Sequence, residues 1–126
     1  MQVIVIDTDI LQPQVVDTMG GLQEWYRLIK CTSIDIAYKQ IGGRYYDIIL
    51  DDEGLFTERA KVTALDPEQN PALVGNLVIC NYDGEGGEAG LTEEDIEHIK
   101  KHIVVLTEKT EDEAPAQWLA LMPVED

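Results

Sequence analysis

Basic side chains are scarce: nine Lys and Arg stand against 25 Asp and Glu, for a formal charge of −16. A surface of that sign repels phosphate, which argues against direct nucleic acid binding and against docking on anionic membrane. Cysteine is nearly absent, with Cys31 and Cys80 the only two. Beside expected strands they read as reduced core thiols of a cytoplasmic protein, a lone disulfide being the alternative. No apolar run nears the roughly 20 residues that span a bilayer. Met1 leads straight into Gln2-Val3-Ile4-Val5-Ile6 with no basic segment before it, the opposite of a signal peptide. The catalytic inventory is thin. There is no G-x-S-x-G elbow, both cysteines sit in apolar settings that keep a thiol protonated, and histidine occurs only as His98 and His102. Carboxylate pairs arise by chance in so acidic a chain, and none is expected inside an apolar run that would raise its pKa. The chain is therefore read as a non-enzyme that requires no cofactor and no metal.

The rest of the composition is that of a globular domain. A chain of 126 residues with 44% hydrophobic content can bury one core without a metal or disulfide. The expectation is a single α+β domain, built on one antiparallel or mixed sheet of about five strands with two packed helices. An acidic C-terminal extension is expected from about residue 107.

Local patterns support that class. Gln2–Ile6 is a β-branched run that reads as a buried strand, and Gln14–Val16 as a second extended piece. After Gly20-Gly21, the residues Leu22, Trp25, Tyr26 and Ile29 recur at i, i+3, i+4 and i+7, predicting an amphipathic helix to Lys30. The period then becomes two: Ile34, Ile36 and Tyr38 are expected inside, alternating with Ser33, Asp35 and Ala37. Gly42-Gly43 turns this strand into Tyr45–Leu50, a hairpin. Lys61–Leu65 and Leu73–Cys80 are further strand candidates, separated by Asp66-Pro67 and Asn70-Pro71 turns, and Asn81–Gly90 is read as a loop. Thr92 as N-cap, Asp95 at the third helical position, and Leu91 with Ile96 as a staple open a second helix to about Ile103. Val104–Leu106 follows as a short strand, and Trp118, Leu119, Leu121 and Met122 mark a final docked segment.

The acid is unevenly placed. Residues 1–30 hold four acids and two bases, whereas residues 81–97 hold seven acids and no base. The candidate partner-binding set is Asp83, Glu85, Glu88, Glu93, Glu94 and Glu97, with Glu111, Asp112 and Glu113 in the tail. Glu93 and Glu97 are one helical turn apart, about 6 Å, close to the spacing of successive phosphates on one DNA strand. Solubility alone, or a solvated helix face favoured by the N-terminal dipole, explains the same residues, and Lys101 is a partner within reach of Glu97. Three other patterns point elsewhere. His98 and His102 with Asp95 have metal-ligand spacing but lack the zincin Glu, and polar residues flanking an apolar stripe explain them equally. Gly84-Glu85-Gly86-Gly87 lacks the Lys and Ser/Thr of a phosphate loop, and Asp83, Glu85 and Glu88 lack the EF-hand pattern. A ligand pocket lined by Tyr38, Tyr45 or Trp25 would draw on Arg27, Lys39, Arg44, Arg59 and Lys61 as anchors for phosphate.

Three segments resemble a known family. Ile41-Gly42-Gly43-Arg44-Tyr45-Tyr46-Asp47-Ile48-Ile49-Leu50-Asp51-Asp52-Glu53-Gly54-Leu55, Leu73–Asn81 and Leu91–Ile96 are similar to the family called domain of unknown function 3846. The likeness covers about residues 30–103, with the N-terminal third matching in outline. The family has no settled activity, so the resemblance carries over no catalytic residue. It implies a phage or mobile-element setting in Gram-positive bacteria, where small acidic proteins oppose host defence and some imitate DNA. The function expected is therefore a non-enzymatic, inhibitory interaction module whose partner is a basic host protein such as a DNA-binding nuclease. Pairing with a second copy of the chain is compatible with this reading. The alternative is a small-ligand or nucleotide-sequestering protein.

Overall fold

The structure, a computed structural model, describes residues 1–54, 60–109 and 114–126. In chain order the elements are β1 (Gln2–Ile6), β2 (Gln14–Asp17), α1 (Leu22–Ile29), β3 (Ile34–Ile41), β4 (Arg44–Asp51), β5 (Val62–Leu65), β6 (Pro71–Val74), β7 (Leu77–Tyr82), β8 (Glu88–Ala89), α2 (Glu93–Lys100), β9 (Ile103–Glu108), β10 (Ala116–Leu121) and β11 (Val124–Glu125). Among the described residues the fold is α+β with two α-helices, but the single sheet of about five strands is replaced by two sheets. A seven-stranded antiparallel sheet runs β11-β3-β4-β7-β1-β2, with β8 also paired to β7, and a four-stranded mixed sheet runs β6-β5-β10-β9.

The division follows from one turn. The apolar run Leu73–Cys80 reads as one strand, yet Gly75 takes φ +90° and breaks it in two. On one side of the break β6 pairs with β5, and on the other β7 pairs with β4 and β1. The strand-forming residues after α2 then build the β9–β10 hairpin in full register from Ile103↔Leu121 to Glu108↔Ala116. The C-terminal segment expected as an acidic extension thus supplies β10 to the small sheet and β11 to the edge of the large one.

The large sheet is covered on both faces, which explains why β1 is an unbroken apolar run rather than an alternating one. Ile4, Ile6, Ile48, Leu77 and Ile79 face the small sheet and α2, joining Leu119, Leu121, Ile96 and Ile99 in the main core. Val3, Val5, Ile49, Val78 and Cys80 face the other way, against Trp25 and Ile29 of α1. Helix α1 ends where Lys30 turns left-handed, its N–H reaching the Tyr26 carbonyl, and Lys30 then pairs with the buried Asp7 at 2.9 Å. Leu22, expected inside, is exposed at the overhanging first turn.

Two further expectations are revised. α2 stops at Lys100, because Ile103 is drawn into β9 against Leu121 instead of extending the helical stripe. In β3 it is Ala37 and Ile41 that pack on the main core, while Ile36 and Tyr38, expected inside, are exposed. The eight-residue α1 packs over β7 and β4, and only Ile34 at the start of β3 joins its cluster, as expected, which leaves Ile36 and Tyr38 uncovered. No helix among the described residues is long and apolar enough to cross a membrane.

Candidate functional site

The capping box of α2 forms the anchor of the acidic end. Thr92 Oγ1 accepts from the Asp95 N–H at 3.1 Å, and Asp95 Oδ2 accepts from the Thr92 N–H at 3.0 Å. Leu91 and Ile96 are both buried, as the staple requires. Asp95 does more than cap. Its carboxylate also accepts from the Thr92 hydroxyl, from Asn81 Nδ2 on β7 and from the Tyr46 hydroxyl on β4, each at 2.9 Å. Burial pushes this carboxyl up, but the bonds from Thr92, Asn81 and Tyr46 outweigh it and hold the pKa at about 2. Burial, and then Asp95 itself, push the Tyr46 phenol up to about 12. Asp95 is thus a fixed anion tying helix to sheet.

Of the expected partner-binding residues, Asp83, Glu85, Glu88, Glu93, Glu94 and Glu97 lie at this end of the large sheet, divided between its faces. Asp83 opens the β7–β8 turn and accepts from the backbone N–H groups of Glu85 and Gly87, which lowers its pKa. Glu85 is exposed on that turn, and Glu88 on β8 stands opposite Tyr82, on the face that α1 also occupies. Glu93, Glu94 and Glu97 ride on α2, which packs by Ile96 and Ile99 on the opposite face. Glu94 is engaged by Arg44 at 2.9 Å. Among the described residues, Asp83, Glu85, Glu88, Glu93 and Glu97 make no ion pair, and Lys101 meets Glu97 only through backbone. Glu111, Asp112, Glu113 and Arg59 lie outside the described residues.

The two histidines serve the hairpin. His98 Nε2 lies 2.8 Å from the Ile41 carbonyl oxygen, and His102 Nδ1 lies 2.8 Å from that of His98. Both rings rest on Gly42, where a Cβ would come within 2.5 Å of His102 and 2.9 Å of His98. Asp95 is engaged instead by Thr92, Asn81 and Tyr46, and no group of three or more His, Cys, Asp or Glu among the described residues is placed to hold a metal ion.

Of the side chains considered for a ligand pocket, Trp25 is buried beneath α1, whereas Tyr38 and Tyr45 lie side by side on the open sheet face. Their rings stack with centroids 4.7 Å apart and planes at 16°, and Tyr82 meets Tyr38 edge-on at 6.0 Å. The basic residues considered as anchors are mostly engaged: Arg27 by Glu24, Lys39 by Asp126, Arg44 by Glu94, and Lys61 over the Trp118 ring. Sequence reasoning missed Tyr82, placed in a loop, and Asp47. Asp47 does sit in an apolar run, Tyr45–Leu50, and is nearly buried. Burial raises its pKa, and Glu88 and Asp83 raise it further. A lone acid inside Tyr-Tyr-Asp-Ile-Ile-Leu was the available signal.

No curated protein and no solved structure matches the chain. The likeness placed above at about residues 30–103 extends through the N-terminal third: residues 1–104 match the family described as Domain of unknown function (DUF3846), and the chain belongs to that family.

Proposed function

We propose that the chain is a non-enzymatic interaction module that docks a basic protein surface at its acidic end. The observation that supports this most directly is the set of carboxylates that make no ion pair among the described residues, Asp83, Glu85, Glu88, Glu93 and Glu97, in a chain of charge −16. Carboxylates not tied up in ion pairs project a field that speeds encounter with a cationic surface and weakens with salt. Within that class a DNA-binding nuclease of a host defence system comes first, because its surface is shaped to receive regularly spaced negative charge. Inhibition would then follow from occupying the DNA site. The stacked pair Tyr38 and Tyr45 supports a second reading, a small-ligand binder, but the engaged state of Arg27, Lys39 and Arg44 leaves it few anchors for phosphate.

The test is a fluorescence-anisotropy titration of the purified chain with arginine-rich and lysine-rich peptides and with purified DNA-binding nucleases. It is run at about 50 and 300 mM salt, which spans strong to weak screening. Binding that falls with salt, and that falls again in a triple variant Glu85→Gln, Glu93→Gln, Glu97→Gln, is expected. Failure to bind any basic probe at the lower salt refutes the reading.

A further inference from the structure

We infer that the uncovered half of the large sheet, where Ile36, Tyr38, Tyr45 and Tyr82 surround Asp47, is a docking surface that receives an arginine side chain of a basic partner. This rests on the reading above and specifies where the partner docks and by which chemistry.

The register fixes the geometry. Ile36 pairs with Ile49, Tyr38 with Asp47 and Gln40 with Tyr45, so these side chains share the face that α1 covers. Asp47 in turn pairs with Cys80 of β7, and Tyr82, two residues on, reaches the same face. α1 lies over Val3, Val5, Ile49, Val78 and Cys80, and on β3 the cluster it covers takes in Ile34 at the start of the strand. Beyond it, Ile36 is 46% exposed, Tyr38 53%, Tyr45 45% and Tyr82 48%. Four large side chains exposed together on one sheet face, in an alternating pattern that elsewhere means burial, mark a surface made for contact.

The rim chooses the occupant. Asp47 is only 8% exposed, and no hydrogen bond or ion pair among the described residues reaches its carboxylate. Glu88 stands beside Tyr82, and Asp83 follows it in the chain. Lys39 and Arg44, the bases on β3 and β4, are held by Asp126 and Glu94. Flat aromatic faces above an unneutralised carboxylate suit a flat cation: a guanidinium stacks on tyrosine while its N–H groups reach the acid. A nucleic acid strand also stacks on sheet aromatics, but its phosphates would meet Asp47, Glu88 and Asp83. A second copy of this chain would bring −16 against −16.

The experiment compares the wild-type chain with Tyr38→Ala, Tyr38→Phe and Asp47→Asn, using an arginine-rich peptide, a matched lysine-rich peptide and a single-stranded RNA oligonucleotide. Thermal melts accompany every titration. The arginine peptide is expected to bind more tightly than the lysine peptide, and Tyr38→Ala and Asp47→Asn each to lose about tenfold, the scale of an interface hot spot. Tyr38→Phe keeps the ring and keeps the affinity. Asp47→Asn melts higher than wild type while binding more weakly, an opposition that a purely structural residue would not produce. Undiminished binding of the arginine peptide to both Tyr38→Ala and Asp47→Asn overturns the inference while leaving the acidic-module reading intact. Absence of binding to any basic peptide removes both. Tight RNA binding lost in Tyr38→Ala, or self-association lost in that variant, overturns the inference in favour of a different occupant.

Discussion

Replacing Asp95 with asparagine tests how the acidic end is held together. The carboxylate is 15% exposed and accepts four hydrogen bonds, from the backbone N–H and hydroxyl of Thr92, from Asn81 and from Tyr46. Asparagine keeps the shape but presents an NH2 group to donors and loses the charge. The folded pKa of about 2, against an ordinary 3.8, corresponds to about 2 kcal/mol of stability at pH 7. Because the folded value lies below the unfolded one, this stability is complete well above pH 3.8 and fades as the pH falls towards 2. About half of it remains at pH 3 and only a small part at pH 2. Urea unfolding of wild type and Asp95→Asn, followed by circular dichroism, reads the difference directly. The variant is expected to be less stable by about 2–3 kcal/mol at pH 7, with the gap narrowing by about 1 kcal/mol at pH 3. A gap that stays constant between those pH values, or a loss under 1 kcal/mol at pH 7, would show that Asp95 does not hold helix to sheet as an anion.

Other expectations concern single positions. Gly42→Ala places a Cβ at φ +57° against both histidine rings and should cost about 2 kcal/mol or more in chemical denaturation. Gly43→Ala, at φ +86° with open space around it, should cost only the backbone penalty of about 1 kcal/mol. Equal losses at the two positions would remove the packing argument. Cys80 is held by burial, and then by Asp47 and Glu88, at a pKa of about 12, and both thiols are free. It should resist a thiol reagent at pH 8 in the native protein and react once urea unfolds the chain. Rapid native labelling of Cys80 would contradict its burial. Thr92→Ala removes the helix cap and should lower stability by about 1 kcal/mol in the same urea assay.

Much of the local structure was readable because local chemistry decides it. The Thr92–Asp95 box, the Gly42-Gly43 hairpin and the β-branched run of β1 each sit where the sequence signal places them. What was not readable depends on residues far apart in the chain. Whether Leu73–Cys80 is one strand or two turns on Gly75 adopting φ +90°, and on β5 and β4 each claiming one half. The period-two pattern of β3 reports that its two faces differ, but not which one a short helix elsewhere will cover. The hidden side is the one carrying Ala37 and Ile41, and Tyr38 is left outside. The same gap hid Asp47, whose surroundings come from three strands and a turn.

The pairing of β1 also bears on how the protein is made. Its four consecutive side chains Val3, Ile4, Val5 and Ile6 carry no charge, and one flank is matched early by β2 through Val3↔Val16. The other flank waits for Ile79 and its neighbours on β7. While a ribosome is still delivering the intervening chain, that flank is an open, sticky template of the kind that seeds aggregates. Nascent chains stalled before β7 should therefore precipitate or recruit chaperones.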